Sequence, residues 1–179
     1  MDKLRVKLLA YATADAQVFT RGKRRLKSLF KQDVVEFVDK DPHVLVFLTG
    51  GSERAALQAV REFEFYPLLA SSVENSWAAA TEVKAWMNHN NIDSWLIDQD
   101  SPTASLVIDS LHKVINGLKR LRGKRFGLVG DVAHWLVSSN VDPFIIKSKL
   151  GIEKVDIPWE RVSFDDVTSV SPDFLSFFS

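Results

Sequence analysis

Side chains that could hold a small polar molecule gather in three short passages, each directly after an apolar run. In Thr49-Gly50-Gly51-Ser52-Glu53, two adjacent glycines allow close backbone approach or positive φ, with hydroxyl groups and a carboxylate beside them. Free N–H groups at the start of a following helix would favour an anion or a sugar hydroxyl there. The same residues also make a plain tight turn, with Ser52 as cap and Glu53 in the first helical turn. Ser71-Ser72-Val73-Glu74-Asn75-Ser76 collects hydroxyl, amide and carboxylate groups suited to a polyhydroxylated ligand, although capping by Ser72 or Asn75 accounts for most of that pattern. Gly130-Asp131-Val132-Ala133-His134-Trp135 offers a carboxylate, an imidazole and an indole. A sugar site combines such groups, laying an aromatic face on the ring C–H groups and polar atoms on the hydroxyls. The plainer alternative packs Trp135 and Leu136 under the loop and leaves His134 exposed.

These passages give ten candidate ligand-binding residues: Thr49, Gly50, Gly51, Glu53, Ser72, Asn75, Ser76, Asp131, His134 and Trp135. No catalytic residue and no metal ligand is assigned. The chain has no cysteine, so disulfides, thiolate nucleophiles and thiolate metal sites are all excluded. It lacks Gly-x-Gly-x-x-Gly, Gly-x-x-x-x-Gly-Lys-Ser/Thr and His-Glu-x-x-His, and its histidines, His43, His89, His112 and His134, are scattered. Dinucleotide, P-loop and zincin readings therefore lack their fingerprints.

The elements that must position these residues are legible in the hydrophobic pattern. Apolar, β-branched-rich runs at Leu4 to Ala10, Val44 to Leu48, Tyr66 to Ala70, Ser94 to Ile97 and Arg125 to Val129 alternate with helical patterns. That alternation predicts a doubly wound α/β fold of the Rossmann or flavodoxin type, with a parallel sheet covered on both faces. Val34 to Val38 and Lys154 to Ile157 are candidates for two further strands. A helix is expected over Pro102 to Arg122, with Val107, Leu111, Val114, Leu118 and Leu121 as its buried stripe, Ser101 as cap and Gly123 as stop. Others are expected over Asn75 to Asn88, burying Ala79, Val83 and Met87, and over Arg54 to Arg61. Ala14 to Lys31 reads as a helix interrupted by Gly22, which costs about 1 kcal/mol and is a candidate kink. The pattern restarts after Gly123 with a strand, a loop, a helix around Phe144 to Leu150 and another strand. This predicts an N-terminal α/β domain over residues 1–122 and the beginning of a second, incomplete α/β unit over 123–179.

Charge narrows the partners. The 23 basic and 23 acidic side chains cancel, so no overall field draws nucleic acid or an anionic membrane. The basic run Arg21, Lys23, Arg24, Arg25, Lys27 and Lys31 could grip phosphates, but no aromatic residues interleave with it, and it reads as a solvated helix face. Leu8 to Ala12 is too short for a signal core or a membrane span, so a cytoplasmic protein is expected, with neither nucleic acid nor membrane as partner.

Val44-Leu45-Val46-Phe47-Leu48-Thr49-Gly50-Gly51-Ser52-Glu53, Asn75-Ser76-Trp77-Ala78-Ala79-Ala80-Thr81-Glu82-Val83, and Gly127-Leu128-Val129-Gly130 with Trp135-Leu136-Val137-Ser138-Ser139 together resemble the L-fucose isomerase and L-arabinose isomerase-like family. The likeness is to its N-terminal portion. It runs over most of residues 4 to 158, including Leu150-Gly151-Ile152-Glu153. Members interconvert aldoses and ketoses, a divalent metal such as manganese polarising the sugar oxygens while carboxylates move the protons. Their metal ligands lie in middle and C-terminal domains, so the resemblance carries over no cofactor and no acid-base residue to this chain. It implies a sugar isomerase-like domain of carbohydrate metabolism, not catalytic alone. Gly50, Gly51, Asn75, His134 and Trp135 would contact a sugar or a partner subunit, in a homo-oligomer or beside a partner catalytic domain. Two alternatives stand beside it. One is a small-molecule, sugar-binding regulatory module, and the other a structural subunit docking through Phe174, Leu175, Phe177 and Phe178.

Overall fold

The computed structural model describes residues 3–30, 34–61 and 65–163. The Phe-rich segment from Phe174 to Phe178, and Lys31 of the basic run, lie outside them. The chain forms two compact units, Met1–Arg120 and Leu121–Ser179.

In the first unit, β1 (Leu4–Leu9), β2 (Val35–Phe37), β3 (Val44–Phe47), β4 (Tyr66–Ala70) and β5 (Ser94–Asp98) form one parallel sheet in the order β2-β1-β3-β4-β5. This is the flavodoxin-like order, in which the winding direction reverses between β1 and β3. Every residue of β3 and β4 is buried, because helices cover both faces and successive side chains point to opposite sides. Val44, Val46 and Leu69 pack with Leu4 and Val6 beneath α1 (Ala16–Leu29) and α4 (Ala104–Leu121), which contribute Leu26, Ile108, Leu111 and Ile115. Leu45, Phe47, Tyr66, Leu68 and Ala70 meet α2 (Glu53–Leu57) and α3 (Ser76–His89) on the other face, through Ala56, Ala79, Ala80, Val83 and Met87. Pro67, which has no N–H to give, precedes the β3–β4 register, which pairs Leu45 with Leu68 and Val46 with Leu69.

Three helices differ from their sequence-based expectation. α2 ends at Leu57, short of the expected Arg61. α1 runs without a break through Gly22, which is buried. A Cβ there would lie 2.6 Å from Leu48 Cδ2, so the glycine serves close helix-to-sheet packing and not a kink. Asp15 caps the helix, accepting from Gln17 N at 2.9 Å. α4 buries Ala104, Ile108, Leu111, His112 and Ile115, while Val114 is 50% exposed. The helix carries two neighbouring apolar rows, and the sheet takes the row one residue over from the expected one.

The second unit contains β6 (Arg125–Val129), α5 (Pro143–Leu150) and β7 (Glu153–Ile157), with β6 and β7 paired in parallel as a separate sheet. Asp142 accepts from Phe144 N at 2.8 Å at the start of α5, with Pro143 following. Gly151 ends it at φ 68°, its N–H reaching Lys147 O. Among the described residues, no helix is long and apolar enough to cross a membrane.

Candidate functional site

A sheet wound in two directions leaves a crevice at the carboxyl ends of the strands where the winding reverses. The chain segments leaving β1 and β3 meet there and are stitched together. Leu48 N donates to Leu9 O at 2.7 Å and Tyr11 N to Thr49 Oγ1 at 3.0 Å. Thr49 is only 3% exposed and its hydroxyl donates in turn to Gly50 O. Ser52 stands at the start of α2 but does not cap it, since its hydroxyl donates back to Thr49 O at 2.8 Å.

The two glycines have separate reasons. Gly50 brings the β3 turn against the start of α3, where an added Cβ would lie 2.9 Å from Asn75 Cβ. Gly51 takes φ +69°, a conformation that costs a residue with a Cβ. Their N–H groups are not free for an anion, because Gly50 N donates to Glu74 O at 2.7 Å and Gly51 N to Glu53 Oε1 at 3.3 Å.

The turn after β4 is built differently from the expected cap. Asn75 sits at φ 57° and makes no side-chain cap bond. Ser72 turns away to Asp100, whose Oδ2 accepts from its N–H at 2.9 Å and its hydroxyl at 3.0 Å. Fully buried Ser76 holds the turn instead, accepting from Ser71 N at 3.1 Å and donating to Phe47 O at 2.6 Å. Glu74 and Asn75 are consecutive non-glycine residues at positive φ, a strained pair that the surrounding bonds hold in place.

Between these turns lies an open cavity of about 470 Å³, within the usual range for small-molecule sites. Thr49, Gly50, Gly51, Glu53 and Asn75 of the candidate residues all line it, whereas Ser72 and Ser76 do not. Glu74, the carboxylate of the Ser71 to Ser76 passage, lines it too, as do Tyr11 and Glu82, which the sequence reading missed. Tyr11 was findable, since it follows β1 directly and loops at this sheet edge carry ligands. So was Glu82, which stands seven residues beyond Asn75 with Ala78 and Ala79 between them, a spacing that puts all four on one face of α3. Glu53, Glu74 and Glu82 make the cavity acidic, and among the described residues no lysine or arginine lines it.

Asp131, His134 and Trp135 lie in the loop that follows β6, a strand of the separate two-stranded sheet and not of the five-stranded one. Trp135 is 70% exposed and meets the His134 ring edge-on at 4.8 Å. It does not pack under its loop.

Among the described residues, no group of three or more histidine, aspartate or glutamate side chains is placed to hold a metal ion. No family model matches the chain, and no curated protein matches it.

Proposed function

We propose that this chain is a sugar isomerase-like α/β domain that binds a polyhydroxylated small molecule and is not catalytic alone. The observation that carries the reading is the cavity at the winding reversal, walled by Tyr11, the Thr49 to Glu53 turn and Asn75. Its chemistry suits hydroxyl groups. Carboxylates accept from them, the Asn75 carboxamide both donates and accepts, and the Tyr11 ring offers an apolar face beside a phenol. The acidic lining disfavours a phosphate in this cavity. Among the described lining residues no nucleophile pairs with a base, and the reading assigns binding and no proton transfer.

Calorimetry against pentoses and 6-deoxyhexoses tests it. Saturable heat is expected for at least one sugar, weakened about tenfold by Asn75→Gly, which removes the carboxamide and tolerates the positive φ. The Trp135→Ala variant should bind normally. Heat lost in Trp135→Ala and kept in Asn75→Gly would move the site to the second unit, and silence with every sugar would end the reading.

A further inference from the structure

A second cavity, of about 190 Å³, opens between α1 and the carboxyl ends of β3, β4 and β5, and its lining has a different charge. Arg21 and Arg25, one turn apart on α1, stand over it with Gly22 between them, and Ser71 and Gln99 also line it. Gly22 matters because it lets α1 lie close against Leu48, bringing the arginine stems down to the sheet edge. Gln99 is the unusual member. It is only 6% exposed, its backbone N–H is used on Ala70 O, and its carboxamide makes no hydrogen bond to a described residue. Its side-chain amide atoms are not sealed from solvent, so the carboxamide is open to a polar ligand at the cavity wall.

We infer that this cavity receives a small oxyanion, a carboxylate or a phosphate, held by Arg21, Arg25 and the Gln99 carboxamide. Arg25 is already oriented for this. Its Nη2 pairs with Asp100 Oδ1, and Asp100 is itself pinned through Oδ2 by the N–H and hydroxyl of Ser72. A guanidinium has five N–H donors in a rigid fork, so one pairing leaves others for a ligand. Arg21 is loosely held, with its Nη2 3.6 Å from Glu74 Oε1 and both side chains more than half exposed. Such a pair has little net strength, and an entering oxyanion takes the place of the Glu74 carboxylate on Arg21.

Glu74 lines both cavities. Resting on the polyol reading of the first cavity, the inference extends one step: the oxyanion is the charged end of a polyhydroxylated molecule, a sugar acid or a sugar phosphate, whose hydroxyl groups lie across Glu74. The basic run thus divides by position, since Arg21 and Arg25 line the cavity and Arg24 does not.

Amide chemical-shift titration of the intact chain separates the two claims. Inorganic phosphate and acetate should give saturable shifts at Gly22, Ser71 and Gln99. Arg21→Gln should weaken them about tenfold, as expected for one lost charge-assisted contact. Arg21→Lys should restore part of the affinity, and Arg24→Gln, which removes the same charge outside the cavity, should leave it unchanged. An aldonate and a pentose phosphate distinguish carboxylate from phosphate, and the preferred one should also shift Gly50, Gly51 and Asn75. Equal weakening by Arg24→Gln would mean a diffuse field and overturn the inference, as would no saturable shift at Gln99 with any anion. Neutral sugar shifting Gly51 while no anion shifts Gln99 keeps the polyol reading and sinks this one. Phosphate shifting Gln99 while no sugar shifts Gly51 does the reverse.

Discussion

Thr49 joins the two segments that frame the crevice, accepting from Tyr11 N and donating to Gly50 O while nearly fully buried. Thr49→Val keeps the shape and removes both bonds, so urea unfolding should show a loss of about 1–3 kcal/mol, with Thr49→Ser retaining most of the stability. The expected role for this residue was ligand contact. Its residue type and place after a buried strand were readable, but whether a hydroxyl faces a ligand or a neighbouring loop depends on which segment crosses beside it. The same limit applies to Ser72 and Asn75, both readable as caps. Ser76 holds the turn because Phe47 O, 29 residues away, lies within reach of its hydroxyl, and no local pattern encodes that.

Among the elements, the contact between α1 and the end of β3 is the most sensitive to size. An alanine in place of Gly22 improves helix propensity by about 1 kcal/mol. It also drives a methyl into Leu48, whose Cδ2, Cδ1 and Cγ lie 2.6, 2.9 and 3.3 Å from the new atom. Overpacking of this kind costs about 1–3 kcal/mol, so Gly22→Ala should lower the unfolding midpoint. Leu48→Ala in the same chain should recover part of that loss, and a double-mutant cycle measures the coupling. The strands were readable because a sheet covered on both faces needs continuous apolar runs, as in Val44 to Phe47. The buried face of α4 was not, because Val107, Val114 and Leu118 compete with Ile108 and Ile115 as near-equal neighbouring rows. Tertiary packing decides between them.

At the scale of the molecule, both cores of the first unit draw, among the described residues, on none later than Ile115. Residues 1–122 expressed alone should therefore fold cooperatively, with circular dichroism and amide shifts of the first unit close to those of the whole chain. Leu68, fully buried in the interior strand β4, should cost about 2–5 kcal/mol on replacement by alanine in either context. Sequence reading grouped the Gly130 to Trp135 passage with the other two as a polar turn after a strand. β6 carries the same strand pattern as the earlier runs, and pattern alone does not say which sheet a strand joins.

Glu74 gives the molecule a property that neither cavity has alone. Its carbonyl oxygen holds the N–H of Gly50 in one pocket wall, while its carboxylate reaches toward Arg21 in the other. Whatever pulls that side chain from Arg21 acts on a residue whose backbone anchors the glycine turn. Were a sugar and an anion to occupy the two cavities separately, any coupling through Glu74 would be reciprocal: the factor by which the first alters the affinity of the second would equal the factor by which the second alters the first.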